Sequence, residues 1–186
     1  MRSLLPRLAA DLGADERTLR RAARRGTVRC RRPGPRQLEL EAGELDYLRS
    51  HWGLLRELTQ ALRTERNVRL AILYGSSARG DDLRDSDLDL LVDLRARAPG
   101  ATSAVAVRVE RALGRHVDVA DLGRVERDAP LLLLYALDEG RVLIDRDAQW
   151  PTLLARRGEV ARAAQRAERT ERRAVAESWR MLVDHA

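Results

Sequence analysis

Lysine and phenylalanine are absent from this chain of 186 residues, cysteine occurs once, and aromatic residues make up 3% of it. The single cysteine, Cys30, excludes an internal disulfide and any cysteine-built zinc cluster. The histidines, His51, His116 and His185, are scattered, which argues against a histidine metal site, and no Ser/His/Asp arrangement stands out. No long uncharged apolar run offers a membrane span. The opening MRSLLPR breaks at Pro6 before a signal-peptide core could form, so the expected location is cytoplasmic with no membrane association. Because every long cation is an arginine, arginine richness alone marks no site.

The distribution of charge says more than the total of +6. Residues 1–66 hold 15 arginines against 9 acids, residues 67–150 hold 12 against 15, and residues 151–186 hold 8 against 5. The middle is acidic, as a cation site requires, and the flanks are basic.

The acidic middle is organised around residues 73–94, LYGSSARGDDLRDSDLDLLVDL. An apolar run leads into Gly75-Ser76, ten residues follow, and Asp87-Leu88-Asp89 opens a second apolar run. The pattern predicts strand, turn, short helix and acidic strand. Successive strand side chains alternate between faces, so Asp87 and Asp89 share one, roughly 7 Å apart along the backbone. Two carboxylates that close repel unless a cation lies between them, and Mg²⁺ suits one or two carboxylates plus substrate phosphates. Without a side chain, Gly75 lets the backbone approach a ligand, and a turn into a helix aims N–H groups at an anion. The blander reading makes Asp87 and Asp89 solvent-facing strand residues and Gly75-Ser76 an ordinary turn. The combination of strand, Gly-Ser, interval, Ser86 and a later Val-Asp-Val strand favours the site.

A Gly-Ser pair, about ten residues, then Asp-any-Asp resembles the signature of the polymerase-β-like nucleotidyltransferase superfamily, and most resembles the minimal nucleotidyltransferases that serve as antitoxins. The resemblance covers about residues 68–147. It implies an α/β domain with a mixed sheet, two Mg²⁺ ions on Asp87, Asp89 and a third carboxylate, ATP as substrate, and Gly75 and Ser76 holding the nucleotide phosphates. In HVDVADL, residues 116–122, Asp118 takes the third carboxylate role by resemblance, with Asp121 as the fallback. Arg79, one turn into the short helix, is a candidate for neutralising phosphate charge, with a surface role as the alternative.

Ahead of this domain, apolar residues at 4, 5, 8, 9 and 12 form a helical face that Gly13 ends. Asp15 is placed to cap a second helix that stops at Gly26. A weakly alternating stretch, the turn RPGPR and an extended QLEL then suggest a hairpin. The segment resembles a winged helix-turn-helix module of the excisionase and MerR type. Between Arg17 and Arg36 stand nine arginines and no acid, and Arg17, Arg20, Arg21 and Arg24 share a helix face. Together with Arg36 in the wing they are the candidate DNA contacts; the alternative is a solvated face on a module that docks on something else.

A Leu and Trp stripe from Leu45 to Leu62 predicts a connector helix that is packing or dimer surface. Thr102 is placed to cap a helix ending at Gly114, and a buried helix from Pro130 precedes a closing strand, residues 141–145. The expected organisation is a winged helix-turn-helix domain with connector over 1–66, a nucleotidyltransferase domain over 67–150, and a helical tail over 151–186. The tail's thin apolar stripe could face the catalytic domain, a second copy of the chain or a protein partner. Relatives that modify aminoglycosides or extend RNA carry an added domain after the core, whereas only residues 151–186 follow here. The antitoxin resemblance therefore leads to transfer of AMP to a hydroxyl of a partner toxin, often a HEPN-class ribonuclease, with the winged domain binding operator DNA. The competing readings are a DNA-binding regulator with a non-catalytic nucleotidyltransferase fold, and an aminoglycoside-like small-molecule nucleotidyltransferase.

Overall fold

The computed structural model describes residues 4–34, 37–83 and 86–183. In chain order the elements are α1 (Leu4–Asp11), α2 (Glu16–Arg25), β1 (Cys30–Gly34), β2 (Gln37–Leu40), α3 (Glu44–Arg63), β3 (Val68–Tyr74), α4 (Gly75–Arg79), β4 (Leu88–Leu94), α5 (Ala101–Leu113), β5 (Val117–Asp121), α6 (Leu122–Asp128), α7 (Pro130–Glu139), β6 (Arg141–Asp145), α8 (Gln149–Ala155) and α9 (Arg157–Val183). Local chemistry sets several boundaries. Asp15 caps α2, its carboxylate accepting from the Thr18 N–H at 2.8 Å, and Gly26 ends that helix in the left-handed region. Thr102 does not cap α5: Gly100, at φ 76°, occupies the N-cap and leaves Thr102 in the first turn. Asp121 instead caps α6, accepting from the Arg124 N–H at 2.9 Å.

The main sheet has the order β5-β4-β3-β6, with β4 and β5 parallel and the other pairs antiparallel. The parallel pair is joined through α5, and the antiparallel β1–β2 hairpin stands apart as a separate sheet. Both faces of the main sheet are covered, and the strands alternate between them. Ala71 and Leu73 of β3, with Leu88, Leu90 and Val92 of β4, pack into one apolar cluster that also holds Leu48, Leu55, Leu58 and Leu62 of α3 and Val105 and Val109 of α5. Leu70, Ile72 and Leu91 face the other way, into a cluster with Leu133 and Ala136 of α7, Trp150 and Leu153 of α8, and Val160 of α9. Each fully buried leucine contributes roughly 1.5–3 kcal/mol of transfer free energy. The α3 stripe is thus internal packing, and the start of the tail helix packs back on α7.

The N-terminal segment shares the first cluster rather than forming its own: Leu8, Ala9, Leu19, Ala22, Ala23 and Val28 belong to it. A buried polar network reinforces the join. Arg141, the first residue of β6, is 1% exposed and Glu44, the first residue of α3, is 2% exposed. They pair at 2.7 and 2.9 Å, while Arg141 also donates to the carbonyls of Ala78 at 2.7 Å and Thr27 at 3.2 Å. The Arg141 guanidinium lies 3.3 Å from the centre of the Tyr47 ring, and the Tyr47 hydroxyl donates to the Ser77 carbonyl at 3.0 Å. Side chains of α3 and β6 therefore hold the backbone of α4. Among the described residues no helix is long and apolar enough to cross a membrane.

Candidate active site

Strand pairing brings the acidic residues together. In register, Tyr74 of β3 sits opposite Asp89 of β4, and Asp89 sits beside Asp118 of β5, so the three stand in one row across adjacent strands. Adjacent strands lie about 4.8 Å apart, close enough for the two carboxylates to feel each other strongly. Asp87 precedes β4 by one residue and shares the parity of Asp89. The row faces the side of the sheet that carries α7 and α9, because Leu70, Ile72 and Leu91 have the same parity as Tyr74 and Asp89.

Burial and then the neighbouring charges favour the protonated forms in this cluster. Asp89 is raised above the usual aspartate value first by burial, then by the charges of Asp118 and Asp87, with Arg79 opposing. The Tyr74 hydroxyl is pushed up to about 12 by burial first and by Asp89 and Asp118 next, so it stays a neutral donor at pH 7. A divalent cation would relieve this frustration. The donor set fits one, since ligand atoms of Asp87, His116 and Asp118 all lie within 4.8 Å of one another.

Gly75 is required at the turn. It has φ +72°, and a Cβ there would overlap the Asp89 carboxylate. Ser76, next in the turn, is half-buried, and its carbonyl accepts from the Gly80 and Asp81 N–H groups. Behind α4, Asp82 is held by His51 at 2.7 Å, Ser77 at 3.1 Å and Arg115 at 3.4 Å. Burial alone would raise the Asp82 carboxyl, but the hydrogen bonds from His51 and Ser77 outweigh it and lower the value. Arg79 points to neighbouring acids, pairing with Asp81 at 3.1 Å and Glu139 at 3.2 Å.

A cavity of about 670 Å³ opens beside this turn, lined among others by Tyr74, Gly75, Arg79, Leu131, Tyr135 and Glu168. That size suits a nucleotide. Asp118 stands at the other end of the row with its side chain 68% exposed. The cluster thus has a concave flank at Gly75 and an open flank at Asp118.

The basic helix face predicted for DNA lies far along the chain from this row. Arg17, Arg21 and Arg24 are exposed on α2, and Arg20 is tied to Glu16 one turn earlier. Arg36 lies outside the described residues. Sequence reading passed over two residues at the row. Tyr74 stood only as the end of an apolar run, and His116 read as one of three scattered histidines. The alternation His-Val-Asp was the available signal, because it puts His116 and Asp118 on one face.

The family model for polymerase beta nucleotidyltransferases matches residues 56–149, from the middle of α3 into α8. Among solved structures, a toxin-antitoxin crystal structure with AMP-PNP is 22% identical with a TM-score of 0.51, covering 67% of this chain and 96% of that one. A mutant of the toxin-antitoxin MntA-HpeT is 21% identical with a TM-score of 0.51 and the same coverage. No curated protein matches the sequence. With half of its length accounted for by that family model, the chain belongs to the polymerase beta nucleotidyltransferase family.

Proposed function

We propose that the protein is a Mg²⁺-dependent nucleotidyltransferase that moves AMP from ATP to a hydroxyl of a partner protein, as the antitoxin of a toxin-antitoxin pair. The observation that carries this reading is the asymmetry of the acidic row: a nucleotide-sized cavity at Gly75 and a solvent-exposed Asp118 at the opposite end. A triphosphate entering from the cavity presents its α-phosphorus to the row, and the acceptor then approaches over Asp118. An open approach admits a residue on a macromolecular surface. The similar solved structure, a toxin-antitoxin pair with AMP-PNP, supports the same assignment, with a HEPN-class toxin as the partner expected from the sequence.

Asp87 and Asp89 would hold the Mg²⁺ ions, with Asp118 as the ligand on the acceptor side, and metal bound there would supply a lowered pKa for the attacking hydroxyl and charge stabilisation for the departing oxygens. The acceptor oxygen bonds to the α-phosphorus, the α–β anhydride bond breaks, pyrophosphate leaves, and Asp118 takes the hydroxyl proton. Gly75 and Ser76 orient the triphosphate. Arg79 contributes positive charge at the cavity wall after exchanging Asp81 or Glu139 for phosphate.

A second reading has a specific observation behind it. Asp128, Glu139, Glu168 and Glu171 line the cavity, as a cationic small acceptor would favour. The cavity borders Gly75 and not Asp118, however, so these carboxylates are better placed to accept from ribose hydroxyls and a base amino group. The exposed arginines of α2, with the β1–β2 hairpin as wing, form the proposed operator-binding module.

Incubation with α-labelled ATP, Mg²⁺ and the product of the adjacent gene tests the proposal. Label on that product is the expected outcome. Stable binding without label would replace the enzyme with a non-catalytic regulator, and label on an aminoglycoside, supplied in a parallel incubation in place of the protein, would move the acceptor class.

A further inference from the structure

The open flank of the acidic row carries an imidazole as well as carboxylates. His116 Nε2 lies 3.7 Å from Asp118 Oδ1, and its Nδ1 lies 2.7 Å from Glu110 Oε1. Glu110, on α5, also accepts from the Val117 N–H at 3.1 Å, so the backbone entering β5 sets its position. A carboxylate on Nδ1 holds the proton there and leaves the Nε2 lone pair free toward the row, which is how proteins orient metal-binding histidines. Two donors that each reach about 2.0–2.1 Å to one ion lie roughly 3–4 Å apart, and the 3.7 Å separation falls in that range.

We propose that His116 Nε2 is a further ligand of the ion held by Asp87 and Asp118, oriented by Glu110, and that it raises the affinity of this position for a first-row transition ion such as Co²⁺ above what the carboxylates alone would give, while the carboxylates still accept Mg²⁺. The inference rests on the metal-dependent reading of the row. Mg²⁺ is served by carboxylate, phosphate and water oxygens, and a nitrogen donor adds little for it. Imidazole strengthens binding along the series toward the later divalent metals. The acceptor flank, with its nitrogen donor, would therefore differ in metal preference from the Gly75 end of the row, where carboxylate and phosphate oxygens would serve.

The test uses the full chain stripped of metal by chelation, with Co²⁺ and Mg²⁺ as the probes and no nucleotide. Proton NMR of the Co²⁺ form is expected to show a far-downfield, solvent-exchangeable resonance from a metal-bound histidine N–H, absent from His116→Ala and His116→Gln. Glu110→Gln is expected to weaken Co²⁺ binding roughly tenfold, as loss of an outer carboxylate does, and His116→Ala by more, with Mg²⁺ affinity changing less in both. Co²⁺ binding that Asp87→Asn abolishes, but that shows no such resonance and is unchanged in His116→Ala, would overturn histidine ligation and leave the carboxylate site standing. Absence of any Asp87-dependent binding of either ion would overturn both.

Discussion

Replacing Glu44 by alanine is expected to destabilise the whole chain, including the part that carries the acidic row. Glu44 is the carboxylate partner of a guanidinium that is 1% exposed, and it also accepts from the Arg29 N–H at 2.9 Å. Removing one member of a buried ion pair costs about 3–5 kcal/mol, because the remaining charge is left uncompensated. Arg141 keeps its hydrogen bonds to the Ala78 and Thr27 carbonyls, which places the loss near the lower figure. The unpaired Arg29 N–H adds about 1 kcal/mol. A total near 4 kcal/mol, at about 2–4 °C per kcal/mol for a chain of this size, lowers the melting temperature by roughly 8–16 °C. The double variant Glu44→Leu with Arg141→Met removes both charges and should recover most of the loss. Thermal denaturation followed by circular dichroism checks both. A Glu44→Ala melting temperature within about 2 °C of wild type corresponds to less than 1 kcal/mol and would refute the claim that this pair joins the N-terminal segment to the sheet.

Gly75→Ala is expected to abolish nucleotide binding measured by calorimetry, because the new methyl overlaps the Asp89 carboxylate and the backbone is left-handed there; affinity within a few-fold of wild type would contradict it. Asp89 gives a pH prediction. Its folded-state value is raised by burial first and then by Asp118 and Asp87, so the folded protein binds more protons than the unfolded chain, and stability falls as pH rises through that window from about 4. In chelator at pH 7, Asp89→Asn should melt higher than wild type; the advantage should vanish below the ordinary aspartate value, and Mg²⁺ should stabilise wild type alone. A variant that melts lower in chelator at pH 7 would contradict the repulsion. For the proposed DNA face, each of Arg17→Ala, Arg21→Ala and Arg24→Ala should lower the salt slope of operator binding by about one, read by fluorescence anisotropy across a salt series.

The row was legible because its parts follow from local rules. A Gly-Ser turn ends one strand, alternation puts Asp87 and Asp89 on one face, and the His-Val-Asp-Val stretch announces another strand. Helix ends marked by Asp15, Gly26 and Gly114 were likewise local, and the structure has them where the residues put them. Long-range partners were not legible. Glu44 reads as an acid in the first turn of a helix and Arg141 as the polar start of an apolar strand; only tertiary packing, 97 residues apart in sequence, makes them a buried pair. The shared core was hidden for the same reason, since the α3 stripe specifies an apolar face but not what covers it. Thr102 was misread as a cap because a glycine two residues earlier, with its freedom at positive φ, turned the chain first. His116 was hidden by counting histidines singly instead of by their strand parity with Asp118.

The most direct test is transfer from α-labelled ATP with Mg²⁺ by wild type and by Asp87→Ala, using the product of the adjacent gene as acceptor and circular dichroism to verify folding. The expected result is label on the acceptor with wild type and none with a variant that remains folded. Transfer by Asp87→Ala within a few-fold of wild type would contradict the assignment of this carboxylate row as the metal-binding active site.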